Sequence, residues 1–353
     1  MKTMPYARFA QRTQQAAHAN NVLWRAMFEL TYECNFACRH CYVPAAYRRA
    51  YAGKQLSTAG VFSVLRQLKK EGCLYVGFTG GEPFMRRDIL KILSFAAHCG
   101  FEIMVYTNGS LITKPIAVEL GRLRLNKIDI TLPALSETAF GRITGKSAGR
   151  DAVLRAVDFL QEQGIPLGFK SSLLRVNQPE IAGIQEFARN LGSRHRLDDL
   201  LFPRLDGSKI PYRYRGSGGA VSARKKMNTV VSRKRLRNAA VERQRASRVD
   251  LFPCGAGKTQ AAITPAGELK MCVLIDAPRY LIPETSLPEC WEKLKLFSQG
   301  VTPDHRYSCG DCELSAHCCW CPGRAWLKNQ SYTACDPECK IWAQAKHEEV
   351  CRC

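Results

Sequence analysis

The chain alternates apolar, strand-like runs with helix-like segments, and this alternation limits the folds that it can adopt. Six runs carry strand-type residues: 26–32, 73–80, 101–109, 127–135, 166–174 and 199–207. Helical spacing of apolar residues follows over 61–72, 88–100, 115–125, 151–164 and 179–192. The pattern predicts an α/β fold with a parallel, helix-covered sheet, either an open doubly wound sheet or a partial barrel. Both folds bind ligands at the carboxyl ends of the strands, where Cys34, Gly80, Asn108 and Asp206 fall.

The remaining sequence divides into three parts around a core that we predict over 24–210. Residues 1–23 form a basic N-terminal arm without the apolar centre of a signal peptide. Residues 211–253 form a basic linker, in which 224–248 are dense in lysine and arginine and lack the aromatic residues that base stacking uses. Residues 254–353 are rich in cysteine and predict a second, small, metal-stapled domain.

Composition limits the cellular compartment and the partners that we expect for this protein. No run approaches the roughly 20 apolar residues of a membrane helix, so we expect a cytoplasmic protein without a membrane partner. Seventeen cysteines in such a compartment favour metal binding over disulfides. The net charge of +21 favours an acidic partner but does not choose between a peptide, nucleic acid and a membrane surface.

Three cysteines directly follow the first strand. Cys34, Cys38 and Cys41 are spaced CxxxCxxC within ten residues. Three thiolates can ligate three irons of a cubane cluster and leave the fourth iron open to a substrate or cofactor. The alternative is a zinc site in which His40 supplies the fourth ligand.

The first cysteine motif and a second loop resemble those of radical S-adenosylmethionine (radical SAM) enzymes. Gly80, Gly81, Glu82 and Pro83 follow the second strand about 40 residues downstream and are similar to the GGEP motif that receives the methionine amino group. Asn108 lies in a TNG sequence after the third strand, as in family members. The resemblance implies a partial (β/α)6 barrel, a [4Fe-4S] cluster, bound SAM and an electron donor such as a flavodoxin or ferredoxin.

The resemblance also implies further contacts to the cofactor. His40 stands where many family members have an aromatic residue, and its ring can pack on adenine. Ser171, on the fifth strand, could approach the ribose or the carboxylate of SAM, and an ordinary polar residue of the barrel wall is the equal alternative.

The C-terminal cysteines resemble the SPASM domain of radical SAM enzymes that modify peptides and proteins. By analogy, one auxiliary [4Fe-4S] cluster would use Cys254, Cys272 and Cys321, with Cys290 or an open position as the fourth ligand site. A second would use Cys309, Cys312, Cys318 and either Cys335 or Cys339. Cys321 falls one position earlier than in the family pattern, and the CxxC pairs alone are equally typical of a structural zinc site.

These features predict a radical SAM enzyme that abstracts hydrogen from a peptide or protein side chain. A small metabolite as substrate and sulfatase maturation are the alternatives. Sulfatase-maturating members carry an aspartate directly after the cysteine of the Gx4C element, whereas Val273 follows Cys272 here and Asp276 comes later. An alternative of another class is a zinc-stapled nucleic-acid-binding protein, supported by the basic segment 224–248 and the CxxC pairs.

Overall fold

A computed structural model describes residues 6–198, 200–216, 251–309, 312–318 and 320–351 of this chain. The predicted basic segment 224–248 lies outside the described residues. The strands are β1 Arg25–Glu29, β2 Tyr75–Thr79, β3 Glu102–Thr107, β4 Lys127–Thr131, β5 Leu167–Ser172, β6 Arg194–Asp198, β7 Gln260–Ile263, β8 Glu268–Cys272 and β9 Ile275–Leu281.

Eleven α-helices are found among these described residues. They are α1 Tyr6–Asn20, α2 Ala45–Ala50, α3 Thr58–Lys70, α4 Ile89–His98, α5 Lys114–Gly121, α6 Glu137–Thr144, α7 Gly149–Glu162, α8 Ile181–Asn190, α9 Leu287–Gly300, α10 Pro322–Asn329 and α11 Pro337–Cys351. Within this described part of the chain, no helix is both long and apolar enough to span a membrane.

The first six strands form the parallel sheet that the alternation predicts. All nine strands join one sheet in the order β6-β5-β4-β3-β2-β1-β7-β8-β9, and β1 to β6 pair in parallel. One face of the strands buries side chains such as Phe28, Val76 and Ile128 against the helices. The α/β class with a partial-barrel sheet and a cysteine-rich C-terminal region is therefore confirmed.

The sheet continues into the C-terminal region. Strand β7 pairs in parallel with β1, and β8 and β9 add antiparallel strands beyond it. The cysteine-rich region is therefore hydrogen-bonded directly to the strand that precedes the first cysteine motif.

The prediction of a sixth strand over 199–207 is wrong. The strand is Arg194–Asp198, a polar segment at the edge of the sheet, where side chains keep contact with water and need no apolar pattern. The apolar residues after it, including Leu201 and Leu205, are buried in a loop that contains Pro203.

Within the N-terminal arm, Tyr6–Asn20 form helix α1. Ala17 of this helix is buried, and a Cβ atom added to Gly255 would lie 3.4 Å from the His18 ring. The arm therefore packs beside Cys254, at the start of the cysteine-rich region.

Candidate active site

The GGEP loop lies directly against the backbone that leads into the first cysteine motif. Gly81 N donates to Thr31 O at 2.6 Å, and Glu82 N donates to Glu33 O at 2.8 Å. These bonds extend the β1–β2 pairing past the ends of the strands. The loop after β2 is thereby tied to the residue that precedes Cys34.

The two glycines make this close approach possible. A Cβ atom on Gly80 would lie 2.1 Å from Thr31 O, and one on Gly81 would lie 2.2 Å from Glu33 O. Gly80 also has a φ of +147°, which disfavours other residues. Both glycines remain half-buried, so their main chain lines the carboxyl edge of the sheet.

Replacing Gly81 with alanine should separate these two loops. We expect a loss of about 1–3 kcal/mol in the free energy of unfolding, because the added methyl group meets backbone oxygen atoms that cannot rotate away. Denaturant unfolding measures the loss. The matched control is Gly183→Ala in α8, where the nearest atom, Leu135 Cδ1, is 3.5 Å away and alanine favours the helix. Equal stability of the two variants would contradict the steric argument.

The Glu82 carboxylate is fully buried and joins the GGEP loop to the turn after β3. One oxygen accepts from Phe84 N at 3.1 Å and from Thr107 Oγ1 at 2.7 Å, and the other accepts from Asn108 N at 2.7 Å. Burial raises the pKa of Glu82 to about 7, although these three hydrogen bonds act in the opposite direction. Glu82 therefore positions the TNG turn through both of its oxygens.

Asn108 connects that turn to the cysteine loop. Asn108 Nδ2 donates to Asn35 Oδ1 at 2.9 Å, and Asn35 Nδ2 donates to Ser110 Oγ at 2.8 Å. Asn35 and Ser110 were not predicted as site residues from the sequence, although Asn35 lies between Cys34 and Cys38. The three loops after β1, β2 and β3 are thus one hydrogen-bonded unit.

The three cysteine thiols of the first motif lie near one another in a largely buried loop. Burial raises the pKa of Cys38 to about 12, and negative charge on Cys41 and Cys34 raises it further. The pKa of Cys34 is also raised by burial. Buried thiols of this kind become thiolates only when a cation compensates the charge, as the irons of a cubane do.

Arg48 is a third residue of the site that was not predicted from the sequence. It lies on α2, which follows the cysteine loop, and its Nη2 atom is 3.7 Å from Cys41 Sγ. Its Nη1 atom donates to Phe36 O at 3.4 Å. The guanidinium thus adds positive charge beside the thiols and holds their loop.

His40 lies within electrostatic reach of Lys170 on β5 and of Asp198 at the end of β6. Burial lowers the pKa of His40 to about 4, and Lys170 lowers it further while Asp198 raises it. Its buried Nδ1 atom has no hydrogen-bond partner among the described residues. At this edge of the sheet, a neutral imidazole ring whose Nδ1 atom accepts no hydrogen bond from the described residues is better suited to pack against a ligand than to form an ion pair.

Ser171 lies on the opposite face of β5 from Lys170, because side chains alternate along a strand. Its side chain is fully buried, its hydroxyl donates to Leu132 O, and His195 Nε2 lies 3.0 Å away. Ser171 lies near the carboxyl end of β5, on the same face as Phe169, which packs against Phe187 of α8. The structure therefore places the Ser171 side chain on the helix-covered face of the sheet.

Cys254, Cys272 and Cys321 come together although they span 67 positions of the sequence (321 − 254). Burial raises the pKa of Cys272 to about 12, with further contributions from Cys321 and Cys254. The pKa of Cys321 is likewise raised by burial and by Cys254. Cys290 is instead buried within the apolar core on α9.

A second group surrounds Cys309. Burial raises the pKa of Cys309 to about 12, followed by the charges of Cys318, Cys335 and Cys312. Cys339 flanks this group: its carbonyl oxygen is 4.0 Å from Cys318 Sγ, and its own sulfur is 3.9 Å from Arg324 Nη1.

The spacing of these thiols bears on the kind of metal that they can hold. Among the residues that the structure describes, no three His, Cys, Asp or Glu side chains converge closely enough to ligate a single metal ion. Each of the three groups offers at least three cysteine thiols. In a cubane each thiolate ligates its own iron, so this set of donors fits an iron–sulfur cluster.

Comparisons with known proteins agree with this arrangement. Residues 28–187 match the sequence model of the Radical SAM superfamily. The AdoMet-dependent heme synthase of Oleidesulfovibrio alaskensis is 25% identical over 90% of this chain and 87% of its own length. The PqqA peptide cyclase of Gluconobacter oxydans is 27% identical over 89% of each chain. The crystal structure of Streptococcus suis SuiB bound to precursor peptide SuiA has a TM-score of 0.69 at 16% identity, covering 96% of this chain and 82% of SuiB.

The matched region begins in β1 and ends in α8, so it contains the cysteine loop, the GGEP loop and the TNG turn. Because the motifs, the sheet and the family match coincide, residues 28–187 of this chain form a radical SAM domain.

Proposed function

We propose that this radical SAM enzyme modifies a side chain of a peptide or protein substrate. The observation that carries the proposal is the similarity to the PqqA peptide cyclase, which extends over 89% of both chains and so includes the cysteine-rich region. The fold shared with SuiB over 96% of this chain supports the same architecture. The net charge of +21 favours an acidic peptide as the substrate.

In this proposal Cys34, Cys38 and Cys41 hold a [4Fe-4S] cluster, and SAM occupies the edge formed by the three joined loops. When bound, SAM and the cluster together supply a 5′-deoxyadenosyl radical that can abstract hydrogen from the substrate. The main chain of Gly80 and Gly81 receives the cofactor's amino group, and Glu82 holds that loop in register with Asn108. The His40 ring offers a neutral surface for adenine.

The cysteine-rich region would hold one or two auxiliary clusters. The first uses Cys254, Cys272 and Cys321, and the second uses Cys309, Cys312 and Cys318. For the remaining position of the second cluster, the charge that Cys335 exerts on Cys309 supports Cys335.

The choice between Cys335 and Cys339 can be tested by iron and sulfide analysis of two variants. We expect Cys335→Ala to lose about four irons, one cubane's content, and Cys339→Ala to keep them. Loss from Cys339→Ala alone would assign the ligand to Cys339 instead. Cys290→Ala is the control, since that thiol lies in the apolar core.

The substrate class is tested with reconstituted, full-length protein under anaerobic conditions with dithionite. We expect acidic synthetic peptides to accelerate 5′-deoxyadenosine formation and to lose two hydrogens in mass. Neutral peptides of equal length are the control. Unchanged rates and masses across a peptide library would contradict a peptide substrate.

A second candidate function is a reaction on a small molecule. It is favoured by the heme synthase of Oleidesulfovibrio alaskensis, which aligns with 90% of this chain. An iron porphyrin, added to the same assay in place of peptide, tests this candidate. The alternative of a nucleic-acid-binding protein is supported mainly by the basic segment 224–248, and that segment lies outside the described residues.

A further inference from the structure

A fully buried ion pair lies between the first cysteine motif and the cysteine-rich region. Lys270 Nζ of β8 is 3.0 Å from Glu29 Oε2 of β1, and both side chains are 0% exposed. Placing two charges in a dry interior is expensive, and an apolar pair of similar volume is often as stable. The pair is therefore a poor choice for stability alone, and its position calls for another explanation.

The Glu29 end of the pair contacts the loop of the first cysteine motif. Tyr32 donates its hydroxyl to Glu29 Oε2 at 3.0 Å, and Tyr42 donates to Glu29 Oε1 at 3.4 Å. Tyr42 directly follows Cys41 in the chain. Glu29 thus holds the residue next to a predicted ligand of the SAM-binding cluster.

The Lys270 end contacts the first auxiliary group of cysteines. Lys270 lies two residues before Cys272 on β8, and a β-bulge separates the two residues. Lys270 Nζ is also 3.4 Å from Val273 O, in the residue after Cys272, and 3.6 Å from Asp276 Oδ1. The ammonium is therefore anchored beside the backbone of a predicted ligand.

Tyr42 links the loop of the first cysteine motif to the ion pair, because its hydroxyl donates to Glu29 Oε1. The chain Tyr42–Glu29–Lys270–Val273 connects the two cysteine groups through contacts of 3.0 to 3.4 Å.

A fixed cation beside a cluster has a direct effect on its reduction. Reduction adds negative charge to the cluster, so a buried ammonium stabilises the reduced form, and the low surrounding dielectric strengthens the interaction. A carboxylate that partly neutralises the ammonium weakens this effect. Glu29 and Lys270 thus act on the cluster in opposite directions.

We propose that Lys270 raises the reduction potential of the auxiliary cluster at Cys254, Cys272 and Cys321, and that Glu29 positions Lys270 and moderates its charge. This inference rests on the proposed auxiliary cluster. Both are positioning residues, since the proposal places neither on the substrate or the reacting atoms.

The test measures the potential of that one cluster by an electron paramagnetic resonance titration of the full-length, reconstituted protein. A background with Cys34→Ala and Cys309→Ala removes the other two clusters. We expect Glu29→Gln to shift the potential to more positive values, because Lys270 keeps its charge and loses the nearer of its two carboxylate partners, Glu29 and Asp276. We expect the double variant Glu29→Gln/Lys270→Met to shift it to more negative values than Glu29→Gln.

The double variant replaces the ion pair with two neutral side chains of similar size, so it avoids leaving a buried charge unpaired. Lys127→Met is the matched control, because Lys127 pairs with Asp129 at 2.6 Å on β4, in a different part of the sheet. We expect this control to leave the potential unchanged.

Two results distinguish the inference from the proposed function. Equal potentials for Glu29→Gln and the double variant, with iron and sulfide retained, would overturn the role of Lys270 while leaving the cluster in place. A Cys272→Ala variant that keeps the full iron and sulfide content would instead remove the auxiliary cluster itself, and the inference with it.

Discussion

Replacing Cys34 with alanine is expected to reduce SAM cleavage to the level of a protein-free dithionite control. Cys34 is one of only three cysteines in its motif, and no spare thiol lies in the same loop. A cubane with two protein ligands is poorly held, so the open iron that chelates the cofactor is lost. The measurement is 5′-deoxyadenosine formation by the anaerobically reconstituted protein. A loss of about 10³-fold or more corresponds to a barrier increase of about 4 kcal/mol.

The matched control is Cys99→Ala. Cys99 is a half-buried thiol at the C-terminal end of α4, and it belongs to none of the three cysteine groups. It should therefore retain SAM cleavage within about twofold, since a helix-end substitution of this kind changes little beyond stability. Retained cleavage by Cys34→Ala would show that the cluster has been assigned to the wrong cysteines. If cleavage is lost, iron analysis separates loss of the SAM-binding cluster from misfolding, since the proposed auxiliary clusters should persist in a folded variant.

The sheet could be predicted where at least one face of each strand is buried. The runs that contain β1 to β5 carry buried apolar residues, such as Ile128 and Ile130 on β4, so their pattern reveals them. β6 was not predicted, because its sequence, RHRLD, is half-exposed at the edge of the sheet and lacks an apolar pattern. The pairing of β1 with β7 was not predicted for another reason. It joins segments more than 230 residues apart, and no local sequence pattern indicates such a pairing.

In the candidate site, too, local sequence patterns could be predicted and long-range contacts could not. Cysteine spacing and the glycines of the GGEP loop are local signals, and they mark the loops that meet at the carboxyl edge. The partners that hold those loops are distant in sequence: Asn35 bonds to Asn108, and Glu29 pairs with Lys270. Charged and amide residues of this kind are common on surfaces, so only the fold shows that these ones are buried and joined.

Replacing Glu82 with glutamine is expected to weaken both the fold and SAM binding. The two carboxylate oxygens accept from Phe84 N and Asn108 N, so the amide nitrogen of glutamine would face a backbone N–H in either orientation. A buried N–H without an acceptor costs about 1–3 kcal/mol in the free energy of unfolding. The TNG turn would also lose its fixed position, and we expect at least about tenfold weaker SAM binding, which corresponds to about 1.4 kcal/mol. Isothermal titration calorimetry of the reconstituted protein measures the affinity.

The same carboxyl group predicts a pH dependence of a definite sign. Burial raises the pKa of Glu82 to about 7 in the folded protein, from 4.5 in the unfolded chain. As the pH rises from about 4.5 to 7, the unfolded state releases this proton first, so ionisation favours unfolding. The stability of the wild type relative to Glu82→Gln should therefore be greatest below pH 4.5. It should fall by up to about 3 kcal/mol as the pH rises through 7, since one pKa unit is about 1.4 kcal/mol.

Denaturant unfolding of the two proteins between pH 5 and 8 checks this dependence, with Glu119→Gln as the matched control. Glu119 is a half-exposed carboxylate paired with Arg122 on the surface of α5, and water screens such a pair, so its substitution should leave the pH profile unchanged. A difference between wild type and Glu82→Gln that is constant over this range would mean that Glu82 is ionised throughout. Its three hydrogen-bond donors would then outweigh burial, and the GGEP loop would present a permanent negative charge beneath the cofactor's amino group. A stability difference that falls as the pH rises would instead show that the pKa of Glu82 lies close to 7 in the folded protein. A cation bound nearby would then favour ionisation of Glu82.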